Sequence, residues 1–62
     1  MSRNQELEIH VASRDGKRRI ILLPSHITLE SAVAMAKQGT IHGTYTYAGV
    51  YVNGKVYCEY EA

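Results

Sequence analysis

Residues 44–60 read TYTYAGVYVNGKVYCEY, from Thr44 to Tyr60. Two strand-like runs, Thr44 to Val52 and Lys55 to Tyr60, flank Asn53-Gly54. That dipeptide is the strongest short-range hairpin signal, because a type I′ turn needs positive φ at both central positions. A two-residue turn there pairs Tyr51 with Val56, and continued alternation pairs Gly49 with Cys58 and Tyr47 with Tyr60. One face then carries Tyr45, Tyr47, Tyr51, Val56, Cys58 and Tyr60. The other carries Thr46, Ala48, Val50, Val52, Lys55, Tyr57 and Glu59. Neither face is plainly polar, so the pattern leaves open which one is buried. Gly49 inside the first strand marks a bulge or a close backbone approach.

A second hairpin precedes it. Leu7, Ile9 and Val11 alternate with Glu6, Glu8 and His10, the period of a half-buried strand. Asp15-Gly16 supplies a turn, and Arg18 to Leu23 forms the return strand. With Asp15-Gly16 as a two-residue turn, Val11 faces Ile20 and Ile9 faces Leu22, leaving Ala12, Ile21 and Leu23 on the opposite face. Pro24 has no N–H to give a ladder and ends the strand.

A helix lies between the hairpins. Thr28 is its N-cap, and Glu30 sits where the helix dipole favours a carboxylate. Leu29, Ala32, Val33 and Ala36 make a narrow apolar stripe. Gly39 suits the left-handed position that closes a helix. The expected fold class is α+β: one small domain over residues 7–62, behind a flexible lead-in at 1–6. The order is β-β-α-β-β, with a four-stranded, mostly antiparallel sheet and one helix on one face. This order, with Thr28-Leu29-Glu30 opening the helix, resembles the β-grasp superfold. Ubiquitin-like carriers of that superfold end in Gly-Gly, whereas this chain ends Glu59-Tyr60-Glu61-Ala62, so the resemblance implies a fold and no carrier role.

Size and composition bound the function. At 62 residues the chain is too short for a large α/β enzyme fold or a two-domain cleft. A core of this size rarely supplies more than roughly 3–5 kcal/mol and is usually supplemented by disulfides, a metal or a partner subunit. The single cysteine, Cys58, excludes an internal disulfide and a thiolate zinc site. A homo-oligomer, with a dimer favoured, is therefore expected. A lone cysteine and an N-terminus without an apolar signal region point to a cytoplasmic protein. No apolar run approaches the ~20 residues of a membrane span, so no membrane partner is expected.

Seven basic against six acidic residues give a formal charge of +1, too balanced for a polybasic nucleic-acid binder. The basic excess is local: Arg14, Lys17, Arg18 and Arg19 cluster at the first hairpin tip. Such a tip can grip phosphate, and the five tyrosines can stack on bases. A solvated turn and a cross-strand aromatic ladder explain the same residues.

Catalytic chemistry has little to stand on. His10, His26 and His42 are far apart in sequence, without metal-ligand spacing. Cys58 reads as a small buried hydrophobe. The loop from Gly39 to Thr44 lacks the lysine and the strand–helix setting of a phosphate loop. No catalytic residue, metal ligand or cofactor is assigned, and a non-catalytic protein is expected. A single helix covers one sheet face only, so apolar surface is left over, and contiguous exposed apolar surface marks an interface. The expected function is a small regulatory or binding module, of the sort phages and mobile elements carry. It acts through an uncovered sheet face or edge strand, associates with itself and docks on a protein target. The expected anchors are Ile21, Leu23, Tyr51 and Tyr57. The alternative is a nucleic-acid-binding accessory protein using Arg14, Lys17, Arg18 and Arg19 with the hairpin tyrosines.

Overall fold

The computed structural model describes residues 6–62. It contains β1 (Leu7–Ala12), β2 (Arg18–Leu22), α1 (Leu29–Ile41), β3 (Tyr47–Val52) and β4 (Lys55–Glu61). The strands form one antiparallel sheet in the order β2-β1-β3-β4, with α1 on one face. The α+β class and the β-β-α-β-β order are as expected. Positions 1–5 of the expected lead-in lie outside the described residues. Glu6 is fixed to the second turn: its N–H donates to the Asn53 Oδ1 at 2.9 Å, and its carbonyl accepts from the Asn53 N–H at 2.8 Å.

Both edges of the sheet carry charge. β3 carries no ionisable side chain apart from its tyrosines and lies inside the sheet, whereas β2 brings Arg18 and Arg19, and β4 brings Lys55, Glu59 and Glu61, to the two edges. Charged edge strands discourage sheet-to-sheet aggregation. The pairing of β1 with β3 also separates the chain from a β-grasp arrangement, in which the first and last strands are parallel neighbours at the centre; here β4 is an edge.

The first hairpin corrects the sequence-based register. Its loop holds three residues, Arg14-Asp15-Gly16: the Ser13 N–H donates to the Lys17 carbonyl at 2.8 Å, and the Gly16 N–H to the Ser13 carbonyl at 3.0 Å. Gly16 takes φ of 87°, the left-handed residue that follows a type I turn in such loops. One extra loop residue moves the register by one, so Ile9 faces Ile21 and His10 faces Ile20. A one-residue slip exchanges the two faces of a strand. Ile21 and Leu23 therefore pack against the core, while Ile20 and Leu22 stand outward, 60% and 72% exposed. The run from Ile20 to Leu23 is apolar at every position, so hydrophobicity did not select a face and the turn decided.

The second hairpin has the expected turn, with Asn53 at φ 53° and Gly54 at 83°, and Tyr51 faces Val56. A bulge then places Val50 opposite Cys58, so that Tyr57 is the additional residue on β4. Gly49 consequently faces Glu59, and Ala48 faces Tyr60, which corrects the Gly49–Cys58 and Tyr47–Tyr60 pairs. The bulge reconciles two demands. The tight turn fixes Val52 against Lys55, and burial draws Cys58 and Tyr60 toward the helix.

The helix starts as its sequence dictates: the Thr28 Oγ1 accepts from the Ser31 N–H at 3.1 Å. Its end differs. Gly39 lies within α1, and Gly43, at φ 78°, follows the cap at His42. Gly39 serves close approach instead, since a Cβ there would lie 2.7 Å from the Tyr45 ring. The face turned to the sheet is built of small residues, Ala32, Ala36 and Thr40, which meet Leu7, Ile9, Val11, Ala48 and Val50 in the core. The Thr40 hydroxyl satisfies itself on the Lys37 carbonyl at 2.9 Å. Small side chains bring the helix close to the sheet, so added volume has nowhere to go. Ala36→Leu is expected to destabilise by about 1–3 kcal/mol in denaturant unfolding, whereas Met35→Leu, at an exposed position, leaves the midpoint unchanged. A stabilised Ala36→Leu protein would contradict this packing.

Candidate interaction face

The sheet face away from α1 is uncovered. The pairings arrange it in three rows running across the strands from β2 to β4. The first is Arg18, Ala12, Tyr47 and Glu61; the second is Ile20, His10, Gly49 and Glu59; the third is Leu22, Glu8, Tyr51 and Val56. Ile20, Leu22 and Val56 are its exposed aliphatic residues, Val56 at 51%.

Aromatic rings occupy its middle. The His10 and Tyr51 rings stack with centroids 3.8 Å apart and planes 17° apart. The His10 Nε2 lies 3.0 Å from the Glu8 Oε1. The Tyr47 hydroxyl donates to the Glu59 Oε2 at 2.7 Å. Gly49 makes this possible: a Cβ there would collide with the Tyr47 hydroxyl and approach the Tyr51 ring to 3.3 Å. The tyrosines thus lie flat over a bare stretch of backbone, which explains the glycine inside β3. Burial first, then the hydrogen bond to the Glu59 carboxylate, push the Tyr47 phenol well above its ordinary range.

A shallow groove on this face is bordered by His10, Ala12, Arg18, Tyr47, Tyr51 and Glu61. Of the carboxylates here, Glu8 and Glu59 have partners within the chain. Among the described residues the His10–Glu8 contact is the single pair at salt-bridge distance, so Arg18 and Glu61, both exposed, have no ionic partner there.

The anchors expected from sequence do not share one surface. Tyr51 is on the open face. Ile21 and Leu23 are on the core side, for the reason of register given above. Tyr57, at the bulge, borders a hollow with Leu29, Val33, Cys58 and Tyr60 beside the helix. Ile20, Leu22 and Val56 take their place outward, and the three-residue reading of Arg14-Asp15-Gly16 is the signal that finds the first two.

The basic tip is divided as well. Arg18 pairs with Ala12 on the open face, while Arg19 pairs with Val11, a core residue, and stands exposed on the edge strand, where it also borders the groove. Arg14 brings its guanidinium near Gly43, at the carboxyl end of α1, where the dipole favours a cation. The Lys17 N–H is held by the Asp15 Oδ1 at 3.1 Å in the turn.

The histidines also lie apart: His10 is on β1, His26 is in the turn before α1, and His42 caps it. Among the described residues no three His, Cys, Asp or Glu side chains gather as a metal site would need. Cys58 is half-buried opposite Val50. No described helix is long and apolar enough to cross a membrane.

Comparison with protein-family models, with curated proteins and with solved structures gives no significant match.

The ring arrangement predicts a distinctive titration. Followed by phenolate absorbance, Tyr47 should keep its proton after ordinary tyrosines, near pH 10, have ionised. Tyr47→Phe should remove that late component. Glu59→Gln, which removes the carboxylate charge, should bring it down. A Glu59→Gln titration identical to that of the native chain would contradict the Tyr47–Glu59 contact.

Proposed function

We propose that this protein is a non-catalytic binding module whose uncovered sheet face is its docking surface, first for a second copy of itself. The observation that carries the proposal is the outward placement of Ile20, Leu22 and Val56 around the His10–Tyr51 stack, on a sheet whose single helix lies on the other side. Exposed apolar surface marks interfaces, and here it stands at both edges of the face, Ile20 and Leu22 on β2 and Val56 on β4. The aromatic centre and charged margins are the composition such interfaces favour. Size supports the reading: a small core of Leu7, Ile9, Val11, Val50 and three alanines leaves stability for a partner to supply. In the assembled state Arg14 and Lys17 at the tip of the first hairpin and the Tyr57 hollow remain for a protein target, as suits an accessory or regulatory role.

Nucleic acid is the weaker reading. Arg18 shares the groove with Tyr47 and Tyr51, which favours phosphate and base contacts, but Glu8, Glu59 and Glu61 lie on the same face and repel a polyanion.

Light scattering at several protein concentrations tests the proposal. The native chain should have the mass of a dimer. Leu22→Asp, at a position 72% exposed, should give a folded monomer with an unchanged far-ultraviolet circular dichroism spectrum. A native chain that is monomeric at every concentration, or a Leu22→Asp chain that remains dimeric, would overturn it.

A further inference from the structure

The open face is self-complementary in one orientation. Four corners define it: Arg18 and Leu22 on β2, Glu61 and Val56 on β4, with Arg18 and Glu61 in one outer row and Leu22 and Val56 in the other. All four are exposed. A face-to-face dimer of identical chains has its two-fold axis in the plane of the interface, so that contacts are reciprocal. Packed sheets lie aligned or orthogonal, which leaves the axis along the strands, across them, or on either diagonal.

Each choice has a definite consequence. An axis across the strands sets Arg18 over Leu22 and Glu61 over Val56 of the second copy, so every corner opposes a charge to an aliphatic group. One diagonal sets Glu61 on Glu61 and Arg18 on Val56. The other sets Arg18 on Arg18 and Glu61 on Leu22. Only an axis along the strands puts Arg18 over Glu61 twice and Leu22 over Val56 twice. Like charges in contact, and charges desolvated against apolar groups, select against the other three at their corners; the axis along the strands leaves one such contact, Glu59 over Ile20 in the middle row, and that carboxylate already accepts a hydrogen bond from the Tyr47 hydroxyl.

We propose that the second copy docks with its two-fold axis parallel to the strands, β2 of each chain over β4 of the other. Two Arg18–Glu61 pairs close one end of the interface and two Leu22–Val56 contacts the other. This rests on the self-association proposed above and adds the orientation. It also gives a use to two opposite charges that, among the described residues, have no ionic partner within the chain.

A charge exchange tests the orientation. Arg18→Glu alone puts two acidic pairs at one end, and Glu61→Arg alone puts two basic pairs there. Each should weaken the dimer by about tenfold or more at low salt. The double variant Arg18→Glu/Glu61→Arg should return the affinity to near that of the native chain. In a Cys58→Ser background, Leu22→Cys/Val56→Cys should form intermolecular disulfides on mild oxidation. Those two positions sit on opposite edges of the sheet and cannot bridge within one chain. A native dimer that Leu22→Asp dissociates, but whose double charge exchange binds no tighter than the single charge variants, would overturn this orientation and leave the interaction face standing. A native chain that never dimerises would overturn both.

Discussion

The hydrogen bond from the Ser13 N–H to the Lys17 carbonyl closes a loop of three residues, and that closure sets which side of β2 meets the helix. β2 is apolar on both faces from Ile20 onward, so burial alone distinguishes its two registers weakly. With Gly16 in the left-handed region the loop accepts one residue more than a type I′ turn holds, and Ile21 goes inward opposite Ile9. Ile20, Leu22 and Arg18 then share the open face with Glu8, His10 and Ala12. Every property ascribed to that face follows from this register: its aliphatic edge, its aromatic centre and the position of its cation.

The second hairpin solves the same problem differently. Its turn chemistry and its hydrophobic pattern disagree by one residue, and the bulge at Tyr57 absorbs the difference. Past the bulge, Cys58 and Tyr60 face the helix while Glu59 and Glu61 face outward. The bulge thereby puts carboxylates on the open face at the edge opposite Arg18. Without it, Glu59 would lie on the helix side and the Tyr47–Glu59 hydrogen bond could not form.

Much of this was legible in the sequence. Asn53-Gly54, Thr28 as a cap, the Leu29/Ala32/Val33/Ala36 stripe and the alternation of Leu7, Ile9 and Val11 gave the elements and their order. Properties set by single-residue offsets were not legible. Asp15-Gly16 serves two-residue and three-residue loops alike, and the choice lies in backbone angles that residue types do not fix. Gly39 read as a helix end because glycine favours that position. Its actual role, receiving the Tyr45 ring, depends on a tertiary contact that no local rule contains. The expected anchors Ile21 and Leu23 lie on the core side through register alone: the outward parity falls one residue away, on Ile20 and Leu22. Tyr51 kept its place because it lies on the turn side of the bulge.

A covered open face can be read against a control within the same chain. Met35 and Ile41 are 46% and 62% exposed on the helix, comparable to Ile20 and Val56 on the sheet. The most direct measurement is side-chain relaxation by a soluble paramagnetic agent, read by NMR on the concentrated protein. Ile20, Leu22 and Val56 should be shielded while Met35 and Ile41 relax strongly, and dilution should remove the shielding. Equal relaxation of all five side chains at every concentration would contradict a covered face.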